Sequence, residues 1–112
     1  MLSDPVEVLR ELLTGVPGIR VAFVFGSAAN GALRPDSDVD LFVLDEGADP
    51  VALGEAMLTA YTRTGREIDL KRYTPERFRE VRHRRGTGYL QRVLDGPKRW
   101  VIGSPKLLDA AR

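Results

Sequence analysis

Ile19-Arg20-Val21-Ala22-Phe23-Val24-Phe25-Gly26-Ser27, a ten-residue spacer, and then Asp38-Val39-Asp40-Leu41-Phe42-Val43-Leu44 form the stretch that sets the fold. The first run is almost wholly apolar and rich in branched and aromatic residues. It reads as a strand covered on both faces, ended by Gly26-Ser27. The second run reads as another strand, Asp38 to Leu44. Side chains alternate along a strand, so Asp38 and Asp40 leave the same face about 7 Å apart, while Val39 and Leu41 turn into the core. In the spacer, Ala28 to Leu33 is expected to make a short helical segment, and Arg34-Pro35-Asp36-Ser37 a turn.

Upstream, Ser3 or Asp4 can cap a helix with Pro5 in its first turn and Val6, Leu9, Leu12 and Leu13 along one stripe. Downstream, Val51 to Thr64 has helical spacing through Leu53, Met57, Leu58 and Tyr61, and Gly65 closes it. Glu67 to Arg72 alternates charged and apolar residues, the pattern of a strand with one wet face. Thr74-Pro75-Glu76 opens a basic helix to about Arg84, Gly86-Thr87-Gly88 breaks it, and Tyr89 to Leu94 is helical again. Lys98 to Ile102 is a last strand, with a short helix after Ser104-Pro105. Alternating strands and helices predict an α/β (α+β) fold, a mixed sheet flanked by helices.

The chain's 112 residues suit one domain over 1–112. It contains no cysteine and one histidine, His83, which excludes disulfides, thiolate metal sites, cysteine nucleophiles and histidine-rich centres. Any metal must be held mainly by oxygen. The longest apolar run, Val21 to Phe25, is far short of the roughly 20 residues that span a bilayer, so no membrane segment is expected. The opening MLSDPVEVLRE lacks the basic start of a signal peptide, and a cytoplasmic protein is the expectation.

Charge is unevenly spread. Residues 1–62 hold three arginines against ten acids, a net of −7, and residues 63–112 hold fourteen bases against six acids, a net of +8. Such polarity suits an anionic ligand or partner meeting the second half. Arg77, Arg79, Arg82, Arg84 and Arg85 scatter around their helix. No aromatics interleave with them, so a solvated or partner-facing surface is expected rather than a nucleic-acid groove. Tyr89 and Trp100 read as packing residues.

Two carboxylates on one face at the start of a buried strand repel each other and are costly to desolvate, and a divalent cation is the simplest relief. Carboxylate-only sites suit hard ions such as Mg²⁺, which binds through substrate phosphates. Gly26 lets a phosphate approach the backbone, and the Ser27 hydroxyl and free amides can donate to it. The stretch is no Walker A loop, because Gly-Lys-Ser/Thr is missing. It is no EF-hand either, since Leu41 and Gly47 stand where glycine and glutamate are required. Beside the second strand, Asp69 of Glu67-Ile68-Asp69-Leu70 can complete a three-carboxylate cluster. Such a cluster can hold two metals for phosphoryl transfer, with Asp69 placed to take the acceptor's proton.

At Gly26, Ser27, Asp38, Asp40 and Asp69 the chain resembles the minimal nucleotidyltransferases of the DNA polymerase β superfold. The tail Val93 to Gly103 is also similar to the end of such domains fused to bacterial winged-helix modules. The resemblance implies transfer of a nucleoside monophosphate, usually AMP from ATP or another NTP bound with Mg²⁺, to a hydroxyl of a protein or small molecule. It implies Asp38, Asp40 and Asp69 as catalytic metal ligands (two ions once the triphosphate is bound) and Gly26 and Ser27 as the triphosphate cradle. It further implies a protein partner, a HEPN-type toxin to which the chain is the antitoxin, or a winged-helix protein. Ala28 and Asn30 stand where relatives often carry basic residues, and Arg34 is the nearby cation. Those two residues favour the alternative, a degenerate module that binds nucleotide or partner without turnover. A lysine or arginine salt-bridged into the place of the ions, or Asp69 pointing away from Asp38 and Asp40, would overturn the transferase reading.

Overall fold

The computed structural model describes residues 3–31, 34, 37–84 and 88–111. Its helices are α1 (Pro5–Thr14), α2 (Pro50–Thr64), α3 (Pro75–Arg82), α4 (Gly88–Asp95) and α5 (Pro105–Ala110), and its strands β1 (Ile19–Phe25), β2 (Val39–Asp45), β3 (Ile68–Tyr73) and β4 (Lys98–Ile102). One local device starts four of the helices. Asp4, Asp49, Thr74 and Ser104 each cap from an extended backbone, and a proline follows. The side-chain oxygen satisfies an orphan amide, and the proline ring presets φ where no amide bond is needed.

The strands form one mixed sheet in the order β3-β2-β1-β4. β1 pairs antiparallel with both β2 and β4, whereas β2 and β3 run parallel. A parallel neighbour needs a crossover, which α2 supplies. Both faces of the central strands are covered. Val24, Val39, Leu41 and Val43 pack with Leu9 and Leu13 of α1 and Leu53, Ala56 and Ala60 of α2. Phe23, Phe42 and Leu44 pack on the other face with Phe78, Leu90, Val93 and Leu108 of α3, α4 and α5. Phe23 and Phe42 stack at 4.6 Å between ring centroids, and Phe78 meets Phe42 edge-on at 5.8 Å.

Two expectations change. The buried stripe of α2 is Leu53, Ala56, Ala60 and Thr64, while Leu58 and Tyr61 are 68% and 48% exposed. Small alanines let the helix approach α1 and the sheet closely, which turns the larger residues outward. Of the helical segment expected over Ala28–Leu33, the described residues show a 3₁₀ turn at Gly26–Ala28. It begins earlier because Gly26, at φ +68°, bends the chain as β1 ends. Ala32, Leu33, Pro35, Asp36, Arg85, Gly86 and Thr87 lie outside the described residues.

Candidate active site

Strand register brings the acids together. In the β1–β2 ladder Phe25 stands opposite Asp40, and in the β2–β3 ladder Asp40 stands opposite Asp69. Three chain segments therefore meet at one end of the sheet: the Gly26 bend, Asp40 and Asp69. Ile68 and Leu70 pack toward α1 and α2, which leaves Asp69 on the face of Asp40. Directly opposed like charges are unfavourable in a sheet, so this pairing does not serve stability.

The electrostatics record that cost. Burial, then the charge and hydrogen bonding of Asp69, push the Asp40 carboxyl above the ordinary carboxylate range. Lys71 opposes the shift, and Asp38 adds to it through its charge. Asp38 itself is exposed, on the residue before β2, where Val39 N–H donates to Glu67 O at 2.9 Å. The approach to it is pinned by the Arg66 guanidinium, which donates to Arg34 O and, at 3.3 Å, to Ser37 O.

Gly26 is required twice over. Its φ is in the left-handed region, and a Cβ placed there would lie 2.8 Å from Asp40 Oδ2. Any other residue would push the carboxylate aside. Ser27 is exposed in the following turn, whose start has no side-chain cap.

A divalent cation fits this donor set, because positive charge between Asp40 and Asp69 relieves the repulsion that raises Asp40. Among the described residues, no three acidic or imidazole groups already converge as a metal cage. The structure thus brings Asp40 and Asp69 side by side, with Asp38 joining through charge.

Two side chains here escaped the sequence reading. Lys71, two residues beyond Asp69 on the same face, places Nζ 3.5 Å from Asp69 Oδ1. The charge of Asp69, more than that of Tyr89 or Asp40, raises the lysine's pKa. Strand alternation, which places Asp38 and Asp40 on one face, places Lys71 on the face of Asp69 as well. Tyr89 of α4, read from the sequence as a packing residue, is exposed instead. Burial raises its phenol, Lys71 lowers it, and Asp40 and Asp69 raise it. No local signal marks that tyrosine, because its neighbours come from β2 and β3. Of the arginines in and just after α3, Arg77, Arg79 and Arg84 are surface residues, while Arg82 is partly buried. Arg77 and Arg84 flank Glu80, at 3.1 Å and 2.5 Å, and Arg82 lies over the Phe78 ring.

A mixed sheet with opposed strand-borne aspartates beside a glycine-serine bend defines a nucleotidyltransferase. The family model described as Polymerase beta, Nucleotidyltransferase matches residues 7–85, and the chain belongs to that family. No curated relative matches the sequence. Among solved structures, a toxin–antitoxin complex with AMP-PNP is similar at TM-score 0.67 and 20% identity, over 95% of this chain and 79% of that one. The MntA–HepT toxin–antitoxin is similar at TM-score 0.59 and 18% identity, over 96% and 77%. A tri-AMPylated Shewanella oneidensis HEPN toxin in complex with MNT antitoxin follows at 0.59 and 17%, over 96% and 76%. At these identities the likeness is one of fold.

Proposed function

We propose that this chain transfers AMP from Mg²⁺-bound ATP to a hydroxyl of a protein partner or small molecule. The observation that carries the reading is the cross-strand pair Asp40 and Asp69, kept at a cost to the sheet and open to Gly26. Asp38, Asp40 and Asp69 would hold two Mg²⁺, which supply charge neutralisation at the phosphates. Gly26 and Ser27 would cradle the triphosphate, the glycine by letting it near the backbone and the serine by donating its hydroxyl. Asp69 accepts the proton of the acceptor hydroxyl as its oxygen bonds to the α-phosphorus and pyrophosphate leaves.

We further assign the chain, over 1–112, as a single cytoplasmic domain whose protein partner is a HEPN-type toxin, to which it is the antitoxin, or a winged-helix protein. The MNT antitoxins that share its fold, in complex with HEPN toxins, support the antitoxin role. The test is transfer of label from ATP to candidate partners, repeated with Asp38→Asn and Asp40→Asn. Label that persists in both variants refutes the reading.

A second reading, binding without turnover, is favoured by the Lys71–Asp69 contact, which sets a resident cation beside the acids. Metal-dependent ATP binding with no transfer to any partner would establish it.

A further inference from the structure

α4 brings a second group of side chains to this end of the sheet. Phe25, Gly26, Tyr89, Arg92, Val93, Gly96 and Pro97 line a cavity of about 220 Å³. Tyr89 is 47% exposed. Gly26 is shared by the cavity and the carboxylate pair: it borders the one and abuts Asp40.

The lining decides what can enter. Apart from the Arg92 guanidinium and the Tyr89 hydroxyl, these seven residues offer aromatic, aliphatic and backbone surface. A triphosphate tail would lose its hydration against carbon, which is costly. A planar heteroaromatic ring loses little and gains stacking on tyrosine and on the flat guanidinium. Pockets that hold whole drug-sized molecules run from about 300 to 1,000 Å³, so this smaller cleft takes one ring system rather than an entire nucleotide.

We propose that the cleft between Gly26 and α4 is the nucleobase subsite of the donor nucleotide, with Tyr89 as its stacking platform and Arg92 as the cation at its rim. The proposal rests on the nucleotide-transfer reading above and adds the part of the donor that reading leaves unplaced. Stacking tolerates any base but rewards the larger purine surface, so ATP should bind more tightly than UTP.

The test is equilibrium binding of ATP, UTP and inorganic tripolyphosphate to the full chain with Mg²⁺, with melting curves to confirm folding. Tyr89→Ala should weaken ATP binding by about 5- to 100-fold, and tripolyphosphate binding should not change. Tyr89→Phe should stay within about twofold of the parent, because the ring supplies the contact. Tyr89→Leu keeps bulk without a π face and should follow Tyr89→Ala. Arg92→Ala should weaken ATP more than tripolyphosphate. Unchanged ATP affinity in both Tyr89→Ala and Tyr89→Leu overturns the subsite, as does an equal loss of tripolyphosphate. A parent chain that binds tripolyphosphate as well as ATP overturns the subsite and leaves the phosphate site standing. A parent chain that binds neither overturns the transfer reading, and the subsite with it.

Discussion

Gly26 and Gly31 separate backbone strain from site geometry. Both have positive φ, +68° and +77°, but a Cβ on Gly26 meets Asp40 Oδ2 whereas one on Gly31 meets nothing within 4 Å. Gly31→Ala should cost about 1–2 kcal/mol of left-handed strain and leave nucleotide binding intact. Gly26→Ala should cost at least that and also abolish Mg²⁺-dependent ATP binding, as read by denaturation and by titration. Equal binding losses in the two variants would remove the cradle argument. At Asp40, the raised carboxyl means that the folded chain holds a proton to higher pH than the unfolded chain does. Ionising it therefore lowers stability as pH rises past the unfolded value of about 4. Asp40→Asn should melt above the parent at pH 7 while losing transfer, and the advantage should vanish near pH 3. A lower melting temperature at pH 7 would show that the opposed acids are not strained.

At the far end of the β2–β3 ladder the charges are matched. Asp45 is fully buried, and Arg72 donates Nε to Oδ1 at 2.7 Å and Nη2 to Oδ2 at 2.8 Å, while Ala48 N–H adds 2.9 Å. Burial alone would raise Asp45, but the Arg72 hydrogen bond, the Ala48 amide and the Arg72 charge outweigh it and hold the carboxyl below its usual range. This stability is fully present above the unfolded value of about 4 and is lost as pH falls through the lower folded value. Arg72→Ala strands a buried carboxylate and should cost about 3–5 kcal/mol in urea unfolding at pH 7. It should also flatten the acid limb of the stability curve; a loss under 1 kcal/mol would refute the pair's role. The elements themselves were readable, because β1's unbroken apolar run and the cap-proline starts are local signals. The placing of Asp69 on the face of Asp40 was readable too, through strand periodicity. Asp45 lay one residue beyond the strand expected over Asp38 to Leu44, since a buried strand end is visible only once Arg72 lies beside it. Tyr89, Arg92 and the alanine stripe of α2 were hidden for the same reason: their meaning depends on which distant segment faces them.

Across the whole molecule, one sheet serves two cores. Val24 and Leu41 face α1 and α2, while their neighbours Phe23 and Phe42 face α3, α4 and α5. A strand cannot lose one face's packing and keep its ladder bonds to the same partners, so the two cores should melt together. Trp100, the only tryptophan, has its ring 5.2 Å from Phe23 and reports the aromatic side, whereas far-ultraviolet dichroism reports all the helices. Phe78→Ala, at a fully buried position, should cost about 3–5 kcal/mol, and Leu53→Ala on the opposite face about 2–5. Against a total of about 5–15 kcal/mol, either change is a large fraction of the chain's stability. In each variant the fluorescence and dichroism midpoints should fall together. If Leu53→Ala shifts the dichroism midpoint while Trp100 fluorescence holds, the cores are separate units, and the acids at their shared edge would be positioned by one face alone.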